Sequence, residues 1–165
     1  LPAFARIAGR HPDWSLTIIG QGPLRSKLEE QSKSLNLADR VRFAGEVTDP
    51  FSLLCAADLF VFSSRFEGFG MALAEAMACG LPAVSFDCPS GPAEIIRHEV
   101  DGILVPSENV NALAAALDRL MSDPEERKRL AARAPEAETR FNPEKILAQW
   151  QELLNQLLSS SADSH

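Results

Sequence analysis

The sequence predicts an α/β domain, a parallel sheet covered by helices, followed by a helical C-terminus. Three observations predict it. Short β-rich apolar runs alternate with helical segments between residues 15 and 105. Two of those runs are apolar on both faces, as strands buried in parallel sheets are. From Asn109 onward the strand signal stops and each segment has helical periodicity.

In chain order, residues 3–8 form the end of a helix that Gly9 and Pro12 stop. Residues 15–19 (SLTII) are a short strand ending at the glycine-rich turn Gly20-Gln21-Gly22-Pro23. Over residues 24–35, Leu24, Leu28 and Leu35 recur at helical spacing among charges. A strand over 40–44 and a short helix over 51–57 follow. Residues 59–63 (LFVFS) form a strand apolar on both faces, and a helix over 71–79 ends at Gly80. Residues 82–87 are another buried strand, 93–97 a short helix and 102–105 a last strand.

In the helical C-terminus, residues 110–121 carry Leu113, Leu117 and Leu120 along one side. Pro124-Glu125-Glu126 opens another helix, with proline and acids in the first turn, where the helix dipole favours them. Asn142-Pro143-Glu144 repeats that start signal. The helix it begins carries Ile146, Leu147, Trp150, Leu153, Leu154, Leu157 and Leu158 as one continuous stripe. The stripe is expected to pack on the domain's own sheet; the alternative is a stripe that crosses onto something outside this chain. Residues 159–165 are polar and expected to form a disordered tail. Residues 1–158 then make one domain, since no repeat or linker divides them.

Composition agrees with this and excludes other classes. A length of 165 residues corresponds to one domain, and 45% hydrophobic with 24% charged residues is globular composition. A net charge of −7 argues against nucleic acid as a partner and against binding to anionic lipid. The greasiest stretch, 53–62, contains Asp58 and falls short of the roughly 18 apolar residues of a membrane span. Arg6 and Arg10 interrupt the first ten residues, which is wrong for a signal peptide. Cys55, Cys79 and Cys88 lie in apolar or small-residue settings without a CxxC pair, so they are expected to be buried thiols of a cytoplasmic protein. Asp49, Asp58 and Asp87 are scattered and form no metal cage.

In parallel α/β sheets, ligands gather where strands turn into helices at their carboxyl ends. Three such turns stand out: GQGP at 20–23, SRFEGFG at 64–70 and CPSGP at 88–92. In the first, glycine serves equally well just to turn the chain. In the second, Gly68 and Gly70 remove side chains ahead of the helix over 71–79, so backbone N–H groups there can approach a phosphate or diphosphate. Glu67 precedes those glycines and Glu75 lies inside the helix. A carboxylate beside bound phosphate is repelled by it, whereas sugar hydroxyls are donors that it accepts from readily. The competing roles are a helix-start acid for Glu67 and a carboxylate bonding loop N–H groups for Glu75. Arg65 is the nearest cation, either on a phosphate or in a solvated ion pair.

The stretch SSRFEGFGMALAEAMACGLPAVSFD resembles the Glu-x7-Glu signature of retaining glycosyltransferases of the GT-B fold, the glycosyl transferases group 1 family. IIGQGPLRSKLEE, RVRFAGEV, LLCAADLFVFSS and DGILVP are similar to that family's successive blocks, in the same order. The resemblance covers nearly the whole chain, residues 1–150. It implies a Rossmann-like parallel sheet sandwiched by helices, the C-terminal, donor-binding half of a GT-B fold. It also assigns roles. Glu67 would be catalytic, contacting the donor sugar near the reacting carbon. The backbone of Phe69, Gly70, Met71 and Ala72 would hold the sugar and distal phosphate, Glu75 the ribose hydroxyls, and the backbone at Val47 the base. It implies transfer with retention, a UDP- or GDP-sugar as donor, and no cofactor or metal.

By the same resemblance, the first central strand is missing from this chain, between 15–19 and 59–63, together with a Gly-Arg and a Lys that clamp the diphosphate. The acceptor-binding N-terminal domain of the same enzyme is a further expected partner, with membrane contact peripheral at most, at the inner face. The chain alone is expected to be inactive. Two other readings compete: a non-catalytic nucleotide-sugar-binding subunit of a split transferase, and a sugar-nucleotide epimerase-like domain. His11 and His98 lie away from the signature, which counts against the epimerase.

Overall fold

The computed structural model describes residues 1–162. Helix α1 (Pro2–Ile7) starts with proline in its first turn and places Ala3, Phe4 and Ile7 in the core. Strand β1 (Leu16–Ile19) pairs in parallel with β2 (Val41–Gly45) through the crossover helix α2 (Arg25–Ser34). Helix α3 (Pro50–Cys55) is capped by Asp49, whose side chain accepts from the Ser52 amide. Strands β3 (Phe60–Phe62), β4 (Ala83–Asp87) and β5 (Gly102–Pro106) form a second parallel sheet with β4 in its centre. Helices α4 (Met71–Ala78) and α5 (Pro92–Ile95) are its crossovers. The chain ends in α6 (Val110–Ser122), α7 (Pro124–Ala131), α8 (Glu136–Arg140) and α9 (Pro143–Ala162).

The strands therefore form a pair and a triplet with no ladder between them, yet both serve one core. Leu16, Ile18, Leu59 and Val61 pack against a shared cluster that includes Phe4, Val41, Val84, Ile103 and Leu120. Helix α6 seals the cluster. Asn109 caps it by accepting from the Ala112 amide at 3.0 Å. Leu113, Leu117 and Leu120 are buried, each worth about 2 kcal/mol of transfer from water.

Four expectations need correction. The apolar stripe of α9 does not pack on the domain's own sheet: Leu147 is 67% exposed, Trp150 58% and Leu154 53%. Helix α9 also runs on to Ala162, through the first part of the expected disordered tail, while residues 163–165 lie outside the described residues. Strand β3 is half-buried throughout, because it ends the triplet instead of lying between two strands. Of the three cysteines only Cys88 is buried; Cys79 is half-buried and Cys55 exposed.

Beneath α8 a charged cluster sits inside the fold. Asp101 has no solvent exposure and accepts from the Arg97 amide at 2.8 Å and from Arg97 Nε at 2.7 Å. Arg140 lies 3.4 Å from the same carboxylate. Arg97 also donates to Glu136 at 2.7 Å, which ties the loop after α5 to α8.

Candidate functional site

Because strands within each sheet are parallel, the turns that follow them emerge along one edge. On the two-stranded sheet, the Gly20 amide donates to Gly45 O at 2.7 Å and Gln21 to Glu46 at 3.1 Å. The GQGP turn is thereby tied to the loop holding Val47, which is half-buried two residues past β2. That loop leads into α3, which packs on α4 and Leu54 of which joins Ala76 and Leu81 in a small apolar cluster.

On the three-stranded sheet, the segment between β3 and α4 carries most of the sequence-predicted residues. Gly70 is the N-cap of α4 in a left-handed conformation, φ 99°. A side chain there would meet the Phe62 ring at 3.4 Å in a backbone conformation that L-residues avoid. Its carbonyl accepts from Leu73 at 2.9 Å and from Ala74 at 3.2 Å. The amides of Met71 and Ala72 precede these first intrahelical bonds, at the positive end of the helix dipole. The side chains of Met71 and Ala72 are exposed, which leaves that mouth open to solvent.

Phe69 is fixed from two sides. Its ring meets Phe141 edge-on, with centroids 5.0 Å apart. Its carbonyl oxygen lies 2.1 Å from where a Cβ on Gly91 would stand. Gly91, at φ 90°, is therefore what lets the β4–α5 turn touch the backbone of the β3–α4 turn. Sequence reasoning marked SGP as a turn and gave Gly91 no role; the signal was a glycine directly before a helix-opening proline. Phe141 and α8 were not legible there.

Glu67 and Glu75 are both half-buried. Neither carboxylate takes part in a hydrogen bond or ion pair among the described residues, though the Glu75 carbonyl accepts from the Cys79 amide at 3.1 Å. Arg65, by contrast, has a partner: its Nε lies 3.1 Å from Glu108, in an exposed pair joining the β3 and β5 loops. Cys79 lies one turn beyond Glu75. Burial is the main cause that pushes its thiol above the ordinary range, with the Cys55 thiol and the charge of Glu75 adding to it. Among the described residues no group of three or more His, Cys, Asp and Glu is gathered for a metal ion. Among the described residues no helix is long and apolar enough to cross a membrane.

Glu67, Phe69, Gly70, Met71, Ala72 and Glu75 thus form one loop–helix unit, and Val47 stands on the neighbouring loop leading into α3. The glycosyl transferases group 1 family model matches residues 1–137. The chain belongs to that family. It is 40% identical over 164 residues to an exopolysaccharide phosphotransferase of Streptomyces coelicolor, covering 99% of this chain and 17% of that protein. Among solved structures, TarM of S. aureus, crystallised with UDP and α-GlcNAc-glycerol, superposes with a TM-score of 0.86 at 27% identity, over 93% of this chain and 31% of TarM. The C-terminal domain of a group 1 glycosyl transferase from Francisella tularensis superposes with a TM-score of 0.77 at 29% identity, over 85% of this chain and 75% of that one. This group 1 chain is accordingly the Rossmann-like C-terminal domain of a GT-B fold. It spans less than half the length of the curated relatives it matches.

Proposed function

We propose that this chain is the donor-binding domain of a retaining glycosyltransferase that moves a sugar from a UDP- or GDP-sugar to a glycan or lipid-linked acceptor in cell-surface polysaccharide or lipopolysaccharide synthesis. The observation that carries the reading is the pair of half-buried glutamates whose carboxylates have no hydrogen-bond or ion-pair partner among the described residues, on either side of a left-handed glycine that opens a helix N-terminus. Half-buried carboxylates left unpaired are costly, and donors supplied by a ligand offset that cost. UDP bound to TarM and the exopolysaccharide role in the name of the Streptomyces relative support the ligand and product classes.

Each group has one task. Glu67 accepts from hydroxyls of the donor sugar next to the reacting carbon. The backbone of Phe69, Gly70, Met71 and Ala72 holds the sugar and distal phosphate, and the helix dipole stabilises the charge that grows on the leaving diphosphate. Glu75 accepts from the ribose hydroxyls, and the backbone at Val47 meets the base. The acceptor is held by an N-terminal domain of the same enzyme, so this chain alone binds donor without turning it over. Calorimetric titration of the chain with UDP-, GDP- and ADP-sugars tests the reading. One nucleotide series is expected to bind at a single site, and absence of binding in all three overturns it. With the complete enzyme, NMR of the product anomer reads retention directly.

A further inference from the structure

The turn between β3 and α4 has little to hold it in shape by itself. Glycines flank Phe69 on both sides: a Cβ on Gly68 would meet nothing within 4 Å, and Gly70 is left-handed at φ 99°. Local sterics therefore restrain the chain around Phe69 only loosely. Of the large apolar side chains between 66 and 71, Phe66 is 77% exposed and Met71 62%, which leaves Phe69 as the one that packs inward. Its ring reaches a cluster that includes Leu73, Met77, Ile95 and Ala137, and Phe141 joins it there. The two rings stand 80° apart with centroids at 5.0 Å, the edge-on geometry that sets the positive rim of one ring against the negative face of the other. Phe141 is itself well placed. It is the C-cap of α8, its amide donates to Ala137 O at 3.1 Å, and α8 lies against α4.

We infer, resting on the donor-site reading above, that Phe141 is a positioning residue for the sugar and distal phosphate of the donor. It touches neither. It acts through Phe69, whose backbone together with that of Gly70, Met71 and Ala72 is proposed to hold them. A helix N-terminus grips an anion well only when its first free amides converge on one spot. With glycine on either side of Phe69, that aim comes from tertiary contact: Gly91 brings the β4–α5 turn up to Phe69 O, and Phe141 holds the ring. The helical C-terminus thereby shapes a site to which it contributes no ligand-facing group. The effect is confined to one end of the donor. Val47, assigned to the base, stands on the loop after β2, in the other sheet. Glu75, assigned to the ribose, lies inside the regular body of α4, past the glycine-flanked turn.

The test compares the parent chain with Phe141→Leu, which keeps an apolar side chain and removes the ring edge, and with Phe141→Tyr, which keeps the ring. Without ligand, backbone ¹⁵N order parameters of Phe69, Gly70, Met71 and Ala72 should fall from about 0.85 toward 0.6 in Phe141→Leu and stay at the parent value in Phe141→Tyr. In calorimetry, Phe141→Leu should bind the preferred nucleotide-sugar about 2- to 10-fold more weakly, the range an edge-on ring pair supports, and Phe141→Tyr should restore the parent affinity. The matching nucleoside monophosphate, which lacks the sugar and distal phosphate, should bind parent and Phe141→Leu alike. A merely structural loss would weaken both ligands together. Phe69→Leu opens the same contact from its other side and should give the same loss, and the double variant should be no weaker than either single one. Unchanged order parameters, equal loss for both ligands, additive losses in the double variant, or a tyrosine variant as weak as the leucine one would each overturn the positioning role. A parent that binds donor, with Phe141→Leu binding it equally well, overturns that role alone; a parent that binds no nucleotide-sugar overturns the donor-site reading with it.

Discussion

Carboxylates sit in two settings in this domain. Around α5 and α8, Asp101 has no exposure, yet it takes bonds from the Arg97 backbone and side chain and an ion pair from Arg140. Glu136 is likewise forked by Arg97 and Arg133. At the mouth of α4, Glu67 and Glu75 are half-buried and have no such partner among the described residues. The sequence is rich enough in arginine to have saturated both sets. The contrast teaches that the first set holds the fold together, while the second has no such task in the fold, which is what the proposed donor-binding role requires.

The largest effect that would sharpen the contrast is Asp101→Ala. It leaves two arginines facing a buried gap and should cost about 3 kcal/mol in urea unfolding, the low end for broken buried pairs because Arg97 is partly exposed. Gly91→Ala comes next. Its methyl would stand 2.1 Å from Phe69 O at a φ of 90°, and the strain should cost roughly 2 kcal/mol in the same assay. It should also weaken donor binding, since the displaced backbone is the one proposed to hold sugar and phosphate. An Asp101 variant that weakened donor binding as strongly would break the division between the two regions.

Acid provides a smaller, graded test. Hydrogen bonds from Arg133 and Arg97 hold Glu136 below its ordinary 4.5, at about 2. Arg119 lowers Glu99 in the same way, and His11 with Arg10 lowers Asp118. Folded-state values below the unfolded ones mean that the stabilisation is complete above about pH 4.5 and is lost as pH falls toward 2. Melting temperature should therefore be flat above that pH and decline below it, with a shallower decline in Glu136→Gln. An identical acid slope in that variant would show that the fork contributes nothing.

Much of the fold was legible because strand and helix periods differ and glycine or proline marks most boundaries. The SLTII strand, the helix after Gly70 and the Pro124 and Pro143 helix starts all follow from such local signals. What was not legible depends on partners distant in sequence. Helix α8 spans only five residues, too few for an apolar repeat to register. The stripe of α9 shows that a face is apolar, not what covers it. Cys55 has an apolar neighbourhood in sequence, but as the final residue of a short surface helix it faces solvent. In the β3–α4 segment, the glycines ahead of a helix and the two glutamates around them are visible in the sequence, whereas the support that Gly91 and Phe141 give to Phe69 is a tertiary contact.

The most direct test of the unpaired-acid account compares the preferred nucleotide-sugar with its 2′,3′-dideoxyribose analogue, titrated into the parent and into Glu75→Ala. Hydrogen bonds to a charged acceptor are worth about 1.5–3 kcal/mol, so the parent should lose roughly 10-fold or more in affinity for the analogue. Glu75→Ala, already weakened toward the natural donor, should not distinguish the two ligands. An equal loss in parent and variant would contradict the account, because the ribose hydroxyls would then be held by something other than Glu75.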